Sequence, residues 1–124
     1  MPTEMSHVVS MLRARDMTET IAFYAGKLGF IVTNQVKRED GTPQWCYLLR
    51  GAAALMFYAE PKAVDPTGMT GCLYFYPRDI AAEWERLKEL VPVICPLQAT
   101  TYGMREFVIR DPNGYELRYG QETR

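Results

Sequence analysis

The chain has 124 residues, of which 48% are hydrophobic and 23% charged, and its net charge is −1. This length predicts one domain that can bury a core without disulfide or metal staples. The scattered basic side chains exclude the usual kind of nucleic-acid surface, and no apolar stretch reaches the ~20 residues of a membrane helix.

The cysteines and the first residues bear on location. Cys46, Cys72 and Cys95 are too far apart for a C-x-x-C site, and their odd number argues against a disulfide framework. The opening MPTEMSHVV has no basic region followed by an apolar run, so we predict no signal peptide. Together these features favour a cytoplasmic protein.

The first half of the chain is typical of a strand, a helix and three further strands. Asp16 is a natural N-cap, Glu19 completes a capping box, and Gly29 is placed to end the helix. Gly41 and Gly51 mark turns between the later strands. We predict a helix over 15–30 and strands over 7–14, 30–38, 44–50 and 53–59.

The second half repeats this order. Residues 60–68 carry two prolines and no periodicity, which predicts a linker or exposed loop. Asp79 is a second N-cap, and Pro92 and Pro96 would confine their strand to a sheet edge. We predict a strand over 71–77, a helix over 78–90, an edge strand over 91–97, a loop over 98–103, and a hairpin of 104–110 and 115–120 about the turn Asp111–Gly114.

An internal repeat follows from this order, because Arg15–Asp16 recurs as Arg78–Asp79. We predict an α+β domain over 1–124 with βαβββ repeats at 5–60 and 69–121. The repeats should form one curved mixed sheet with a helix outside each half. The hollow of that sheet would suit a small ligand.

The segment RDMTETIAFYAGKLGF, the ending YGMREFVIRDPNGYELRYGQ and the repeat resemble the vicinal oxygen chelate superfamily. Its members include glyoxalase I, extradiol dioxygenases, fosfomycin resistance enzymes and bleomycin resistance proteins. The resemblance implies the repeated fold. The resemblance to the bleomycin resistance type also implies a homodimer, in which the ligand clefts lie between the subunits.

The metal-binding members hold a divalent ion with His, Gln or Glu from both repeats. The resemblance places those positions at Val9, Met56, Cys72 and Arg118, a set unable to hold a hard cation. We therefore expect no metal and no cofactor, although His7 and Glu116 remain as a possible shifted pair. Cys72 is expected to be a buried, inert thiol rather than a nucleophile.

Glu116 and Arg118 lie two residues apart on one face of the last strand, and the resemblance makes that face concave. Symmetric pairing about the turn would set Glu116 opposite Ile109 and Arg118 opposite Phe107. The alternative is a plain salt bridge on an exposed sheet face, with the tyrosines in the core. The predicted ligand-binding residues are Trp45, Tyr47, Met56, Tyr58, Tyr74, Tyr76, Arg105, Phe107, Glu116 and Arg118.

These observations favour a metal-free binding protein over an enzyme. It would sequester a toxic compound, as in antibiotic resistance, with aromatic side chains stacking on an aromatic or cationic molecule and Glu116 facing its positive charge. One alternative is a metal-dependent lyase, isomerase or dioxygenase of the same superfamily. Another is a module that binds a protein partner and no small ligand.

Overall fold

The computed structural model describes residues 2–60 and 72–123. The predicted linker 60–68 therefore lies, except for residue 60, outside the described residues. The strands are β1 Ser10–Ala14, β2 Ile31–Lys37, β3 Pro43–Arg50, β4 Ala53–Ala59, β5 Leu73–Phe75, β6 Val93–Ala99, β7 Met104–Arg110 and β8 Glu116–Glu122. The helices are α1 Met17–Ile21, which continues as a π-helix over Ala22–Lys27, and α2 Ile80–Leu87.

Both predicted helix starts are confirmed. The Asp16 carboxylate accepts a hydrogen bond from the Glu19 amide at 3.0 Å, and Asp79 accepts one from Ala82 at 3.1 Å. Gly29 follows the first helix with a φ of +83°, a conformation that glycine adopts without strain. No helix in the described part of the chain is long and apolar enough to cross a membrane.

The eight strands divide into two four-stranded mixed sheets, one for each repeat. Their orders are β1-β4-β3-β2 and β5-β8-β7-β6, with β1–β4 and β5–β8 parallel and the other pairs antiparallel. The predicted βαβββ repeat is thereby confirmed. β6, which contains Pro96, is an edge strand, as predicted, and its pairing with β7 has two register shifts.

The two repeats share one apolar core. Phe30 of the first repeat lies against Phe75 of the second with ring centroids 6.1 Å apart, and Phe57 lies 6.5 Å from Tyr115. The same cluster contains side chains from both helices and both sheets, among them Tyr24, Leu28, Leu48, Ile80, Leu87, Phe107, Ile109, Leu117 and Tyr119. Each sheet therefore has one face turned to this core and one face turned outward.

The turn Asp111–Gly114 adds polar contacts between the repeats. The Tyr24 hydroxyl donates to Asp111 at 2.8 Å. Asn113 accepts from the Arg15 amide at 3.0 Å and donates to the Thr20 hydroxyl at 3.1 Å. Asp111 and Asn113 are almost fully buried, so this turn is an internal joint rather than a surface loop.

An ion pair between the buried Glu83 and the partly exposed Arg50 joins the repeats at another place. The Arg50 guanidinium binds both oxygens of Glu83, at 2.6 and 3.0 Å, and Arg86 contacts the same carboxylate at 3.1 Å. Burial opposes the charge of Glu83, but the hydrogen bonds and charges of Arg50 and Arg86 outweigh it and lower its pKa. Glu83 is therefore ionised at neutral pH.

Candidate functional site

The outward face of the first sheet is aromatic and apolar. Along β3 and β4, Trp45 pairs with Tyr58 and Tyr47 with Met56, and all four side chains are only partly buried. The residues that alternate with them, such as Cys46 and Phe57, are fully buried. The four predicted site residues of this repeat therefore share one face that points away from the core.

Further apolar side chains extend this face. Met11 and Val36 pair with Met56 and Trp45 on neighbouring strands, and they remain 53% and 51% exposed. Ile31, at the end of β2, is 67% exposed. An apolar sheet face of this size marks a binding or interaction surface in a folded protein.

The outward face of the second sheet carries Tyr74, Glu116 and Arg118. Arg118 pairs with Tyr74 on β5 and with Val108 on β7, and Glu116 pairs with Arg110. The predicted pairing of Arg118 with Phe107 and of Glu116 with Ile109 is therefore wrong by one residue. Because side chains alternate along a strand, this shift of one residue places every side chain of β7 on the face opposite to the predicted one.

Phe107 and Arg105 consequently do not line the outward face. Phe107 is fully buried in the core, where its ring stacks on Tyr119 at 4.6 Å. Arg105 lies on the same side of β7 as Phe107, near the strand end, where it is exposed. The ligand roles predicted for the other eight residues stay predictions.

The length of the turn explains the slip. Asp111 and Tyr115 still pair, since the Asp111 amide donates to the Tyr115 carbonyl at 3.0 Å. The loop proper is thus Pro112, Asn113 and Gly114, with a φ of +93° at the glycine. Three-residue hairpin loops that end in a left-handed residue are common, and this one displaces the register by one.

Glu106, a residue absent from the predicted site, is the polar centre of this outward face. It is 5% exposed. Its carboxylate accepts hydrogen bonds from the Tyr74 hydroxyl at 2.5 Å and the Tyr102 hydroxyl at 2.8 Å. Arg118 donates to it at 3.3 Å. We call these four residues the Glu106 cluster.

The charges within the Glu106 cluster follow from its contacts. Burial alone would raise the pKa of Glu106, but hydrogen bonds from Tyr74, Tyr102 and Arg118 outweigh it and leave the pKa below its usual value. Burial and the contact with Glu106 raise the pKa of Tyr74. Both phenols thus keep their protons and donate them to an ionised carboxylate.

Glu116 and Arg118 form the salt bridge considered from the sequence, although it is a long one. Their closest charged atoms are 4.0 Å apart, and Arg118 is shared with the nearly buried Glu106. The neighbouring Tyr74 and Tyr76, in contrast to the alternative considered, are not core residues. Tyr74 is half-buried and Tyr76 is 75% exposed, with ring centroids 4.8 Å apart.

Gly120 makes room for the Glu106 cluster. It lies opposite Glu106 on the neighbouring strand, and the Tyr74 side chain crosses directly above it. A Cβ atom at this position would overlap the Tyr74 hydroxyl and lie 2.6 Å from its ring carbon Cζ. Only a residue without a side chain lets Tyr74 reach the carboxylate in this pose.

An open groove of about 580 Å³ lies beside the Glu106 cluster, at the end of the second sheet. We call it the tyrosine groove. Of the predicted site residues, Tyr76 lines it. Its lining consists of Tyr76, Pro77, Tyr102, Gly103, Met104, Gly120, Gln121 and Glu122.

The residues at the positions that the resemblance assigns to a metal ion do not suit a divalent cation. Arg118 fills one of them with a guanidinium, whose pKa is raised by hydrogen bonds to Cys72 and Glu106. Met56 offers a thioether, which is a poor ligand for a hard ion. Among the described residues, no three His, Cys, Asp or Glu side chains are grouped as a metal site would require.

Cys72 and His7, which were considered as a nucleophile and as a metal ligand, are both on the surface. Cys72 is exposed, so the expectation of a buried thiol is wrong. His7 lies before β1, is exposed and hydrogen-bonds to the neighbouring Ser6 at 2.8 Å.

The two sets of predicted site residues lie on separate sheets. Trp45, Tyr47, Met56 and Tyr58 belong to the first sheet, whereas Tyr74, Glu116 and Arg118 belong to the second. Both sets face away from the core that the two repeats share. One chain therefore presents the predicted site residues on two separate outward faces.

Comparison with solved structures places the fold. A bleomycin-binding protein complexed with bleomycin is 23% identical, with a TM-score of 0.75 over 96% of this chain and 100% of that one. TnmS3, an antibiotic-binding protein from Streptomyces sp. CB03234, is 22% identical, with a TM-score of 0.76 over 98% and 100%. TioX from Micromonospora sp. ML1 is 22% identical, with a TM-score of 0.76 over 95% and 99%.

At these identities the likeness concerns the fold alone. No curated protein matches the sequence. A sequence model of one family, however, matches residues 4–119, which is nearly the whole chain. The chain therefore belongs to the glyoxalase/bleomycin resistance protein/dioxygenase superfamily.

Proposed function

We propose that this protein binds and sequesters a small aromatic or cationic molecule, without a metal ion and without catalysis. The observation that carries the proposal is the exposure of large aromatic side chains on both outward sheet faces. Trp45 and Tyr47 lie 6.4 Å apart on one face, and Tyr74 and Tyr76 lie 4.8 Å apart on the other. Such rings offer flat apolar area to a ligand.

A homodimer would complete the site. Two chains related by a twofold axis would set the first sheet of one chain against the second sheet of its partner, and thereby form two equal clefts. Each cleft would combine the apolar face around Met56 with the charged face around Arg118. The bleomycin-binding and antibiotic-binding proteins of the same fold support the binding of a small molecule.

The proposal also includes a cytoplasmic location and the absence of a bound metal ion. Cys46, Cys72 and Cys95 are free thiols, as in a reducing cytoplasm. Elemental analysis of the purified protein should find less than one divalent ion per chain. A stoichiometric ion would instead favour a metal-dependent enzyme.

Bleomycin is the first probe of this function. Saturating bleomycin should raise the unfolding midpoint, with a stabilisation of about 2.7 kcal/mol at a hundredfold excess over its dissociation constant. A panel of smaller aromatic cations and anions extends the screen. If neither bleomycin nor any member of the panel raises the midpoint, the proposal fails.

The dimer is tested by light scattering coupled to gel filtration. We expect twice the mass of the chain, and we expect Met56→Lys to reduce it to the monomer while the circular dichroism stays native. Glu39→Lys, in an exposed turn, is the control that should leave the dimer intact. A monomeric wild-type protein would contradict the proposed cleft.

A further inference from the structure

The tyrosine groove offers a ligand mainly hydrogen-bond acceptors. The ionised Glu106 takes the hydroxyl protons of Tyr74 and Tyr102, so the phenol oxygens can only accept from anything else that approaches them. Tyr102 lines the groove, and Tyr74 crosses above Gly120, which forms part of its wall.

The other polar side chains of the groove agree with this bias. The Gln121 amide is partly used, because its oxygen accepts from the Ile80 amide at 2.9 Å and one of its two N–H groups donates to the Arg78 carbonyl. The Glu122 carboxylate is exposed and can only accept. Two side-chain groups of the lining can still donate, namely the Tyr76 hydroxyl and the second N–H of Gln121.

The lining of the groove carries negative charge, because Glu122 is its one ionised side chain, while Arg105, which pairs with Gln121, and Arg78, next to Pro77, lie outside the lining. Glu122 lies in the lining and Glu106 beneath Tyr102, whereas Arg118 is outside the lining and is held between Glu106 and Glu116. The exposed rings of Tyr76 and Tyr102 add electron-rich faces that attract cations. Acceptors, negative charge and two aromatic faces therefore meet in one groove.

We propose that the tyrosine groove is a subsite for a flat cationic group that carries N–H donors, such as an amidinium or guanidinium joined to an aromatic ring. This inference rests on the proposed function, since the groove lies at one end of the second outward face. It adds the position of the cation and the residues that select it. Tyr102 and Glu122 are its principal contacts, and Glu106 is a positioning residue that orients both phenols.

Three matched probes separate the chemical requirements. Benzamidinium is a flat cation with N–H donors, phenyltrimethylammonium is a cation without them, and benzoate is an anion of the same size. Titrations followed by amide NMR should give saturable shifts at Gly103, Gly120 and Glu122 with benzamidinium. Phenyltrimethylammonium should bind about tenfold more weakly, the loss expected for one charged hydrogen bond, and benzoate should leave these amides unmoved.

Variants then test the residues. Glu122→Gln and Tyr102→Phe should each weaken benzamidinium binding about tenfold, since the first removes the negative charge that faces the cation and the second removes an acceptor while retaining the ring. Glu39→Gln is the matched control and should bind as the wild type does. Glu106→Gln should reduce the ratio of benzamidinium affinity to benzoate affinity. The glutamine amide can donate to a tyrosine oxygen, so that the hydroxyl proton of that tyrosine turns toward the groove.

The outcomes separate this subsite from the proposed function. Bleomycin binding without benzamidinium shifts in the groove would overturn the subsite and leave the proposed function standing. Benzoate binding there as tightly as benzamidinium would also overturn it. Benzamidinium in the groove without any bleomycin binding would support the subsite and count against sequestration of bleomycin.

Discussion

Tyr119 and Tyr24 are two buried tyrosines of one core whose hydroxyls meet different surroundings. Tyr24 donates to Asp111 at 2.8 Å. The Tyr119 hydroxyl is buried and has no hydrogen-bond partner within residues 2–60 and 72–123. A buried hydroxyl without a partner is costly, whereas a paired one stabilises the fold.

The first prediction compares the same substitution at these two sites. Tyr119→Phe should raise the free energy of unfolding by about 1 kcal/mol, because it removes an unpaired hydroxyl. Tyr24→Phe should lower it by about 2 kcal/mol, because it removes the hydroxyl that donates to Oδ2 of the buried Asp111, while Oδ1 keeps the amides of Asn113 and Tyr115. Urea unfolding measures both. A loss of stability in Tyr119→Phe would reveal a partner for that hydroxyl.

Single residues also show where sequence reasoning stops. Asp16 and Asp79 were predictable as caps because a cap depends on a local pattern of four residues. Glu106 was not, since its role depends on Tyr74, Tyr102 and Gly120, which are distant in sequence or placed by the hairpin register. The one available signal was its position two residues from Val108, on the same face of β7, which becomes informative once the register is known.

At the scale of elements, α2 is tied to the first repeat through Glu83. The carboxylate of Glu83 is held by Arg50 and Arg86, and its pKa is lower in the folded than in the unfolded chain. A lowered carboxyl pKa gives stability that is complete above the unfolded value and is lost as the pH falls through the folded value.

The second prediction follows from that sign. The free energy of unfolding should fall as the pH drops below about 4.3, the usual pKa of a free glutamate. In Glu83→Gln that part of the acid slope should be absent, at the cost of lower stability at neutral pH. Glu85→Gln, whose side chain is 67% exposed in the same helix, is the control and should keep the wild-type slope. An unchanged slope in Glu83→Gln would contradict the assignment.

The elements themselves were largely predictable, but the facing of β7 was not. The strands of the first repeat and the edge position of β6 followed from turn residues, alternation and prolines. The pairing of β7 with β8 did not, because a loop of three rather than four residues reverses the outward side chains. Phe107 and Arg105 were therefore assigned to the wrong face.

At the scale of the whole molecule, the shared core means that neither repeat is complete alone. Separation would expose the buried faces that carry Leu48 and Phe57 in one repeat and Ile109 and Leu117 in the other. A unit of about 60 residues is marginal even when its core is covered. The sequence indicated the repeat, but nothing in it revealed how closely the halves interlock.

The third prediction tests that dependence with two fragments, 1–60 and 61–124. Each fragment alone should give a poorly dispersed amide NMR spectrum and no cooperative thermal unfolding. An equimolar mixture should recover a dispersed spectrum, because each fragment supplies the surface that covers the other. Cooperative unfolding of fragment 1–60 by itself would show that the repeats are independent.

The buried turn at Asp111–Gly114 has a consequence for chemical ageing. Asn followed by Gly is the dipeptide most prone to deamidation, since the glycine amide can attack the asparagine side chain with little hindrance. Here the amide group of Asn113 is tied to Arg15 and Thr20, which keeps it from the required geometry. Deamidation of Asn113 should therefore begin only in molecules in which the turn has opened. The new carboxylate at residue 113 would lie beside Asp111, and the repulsion and burial of both charges would prevent the turn from packing between the repeats again.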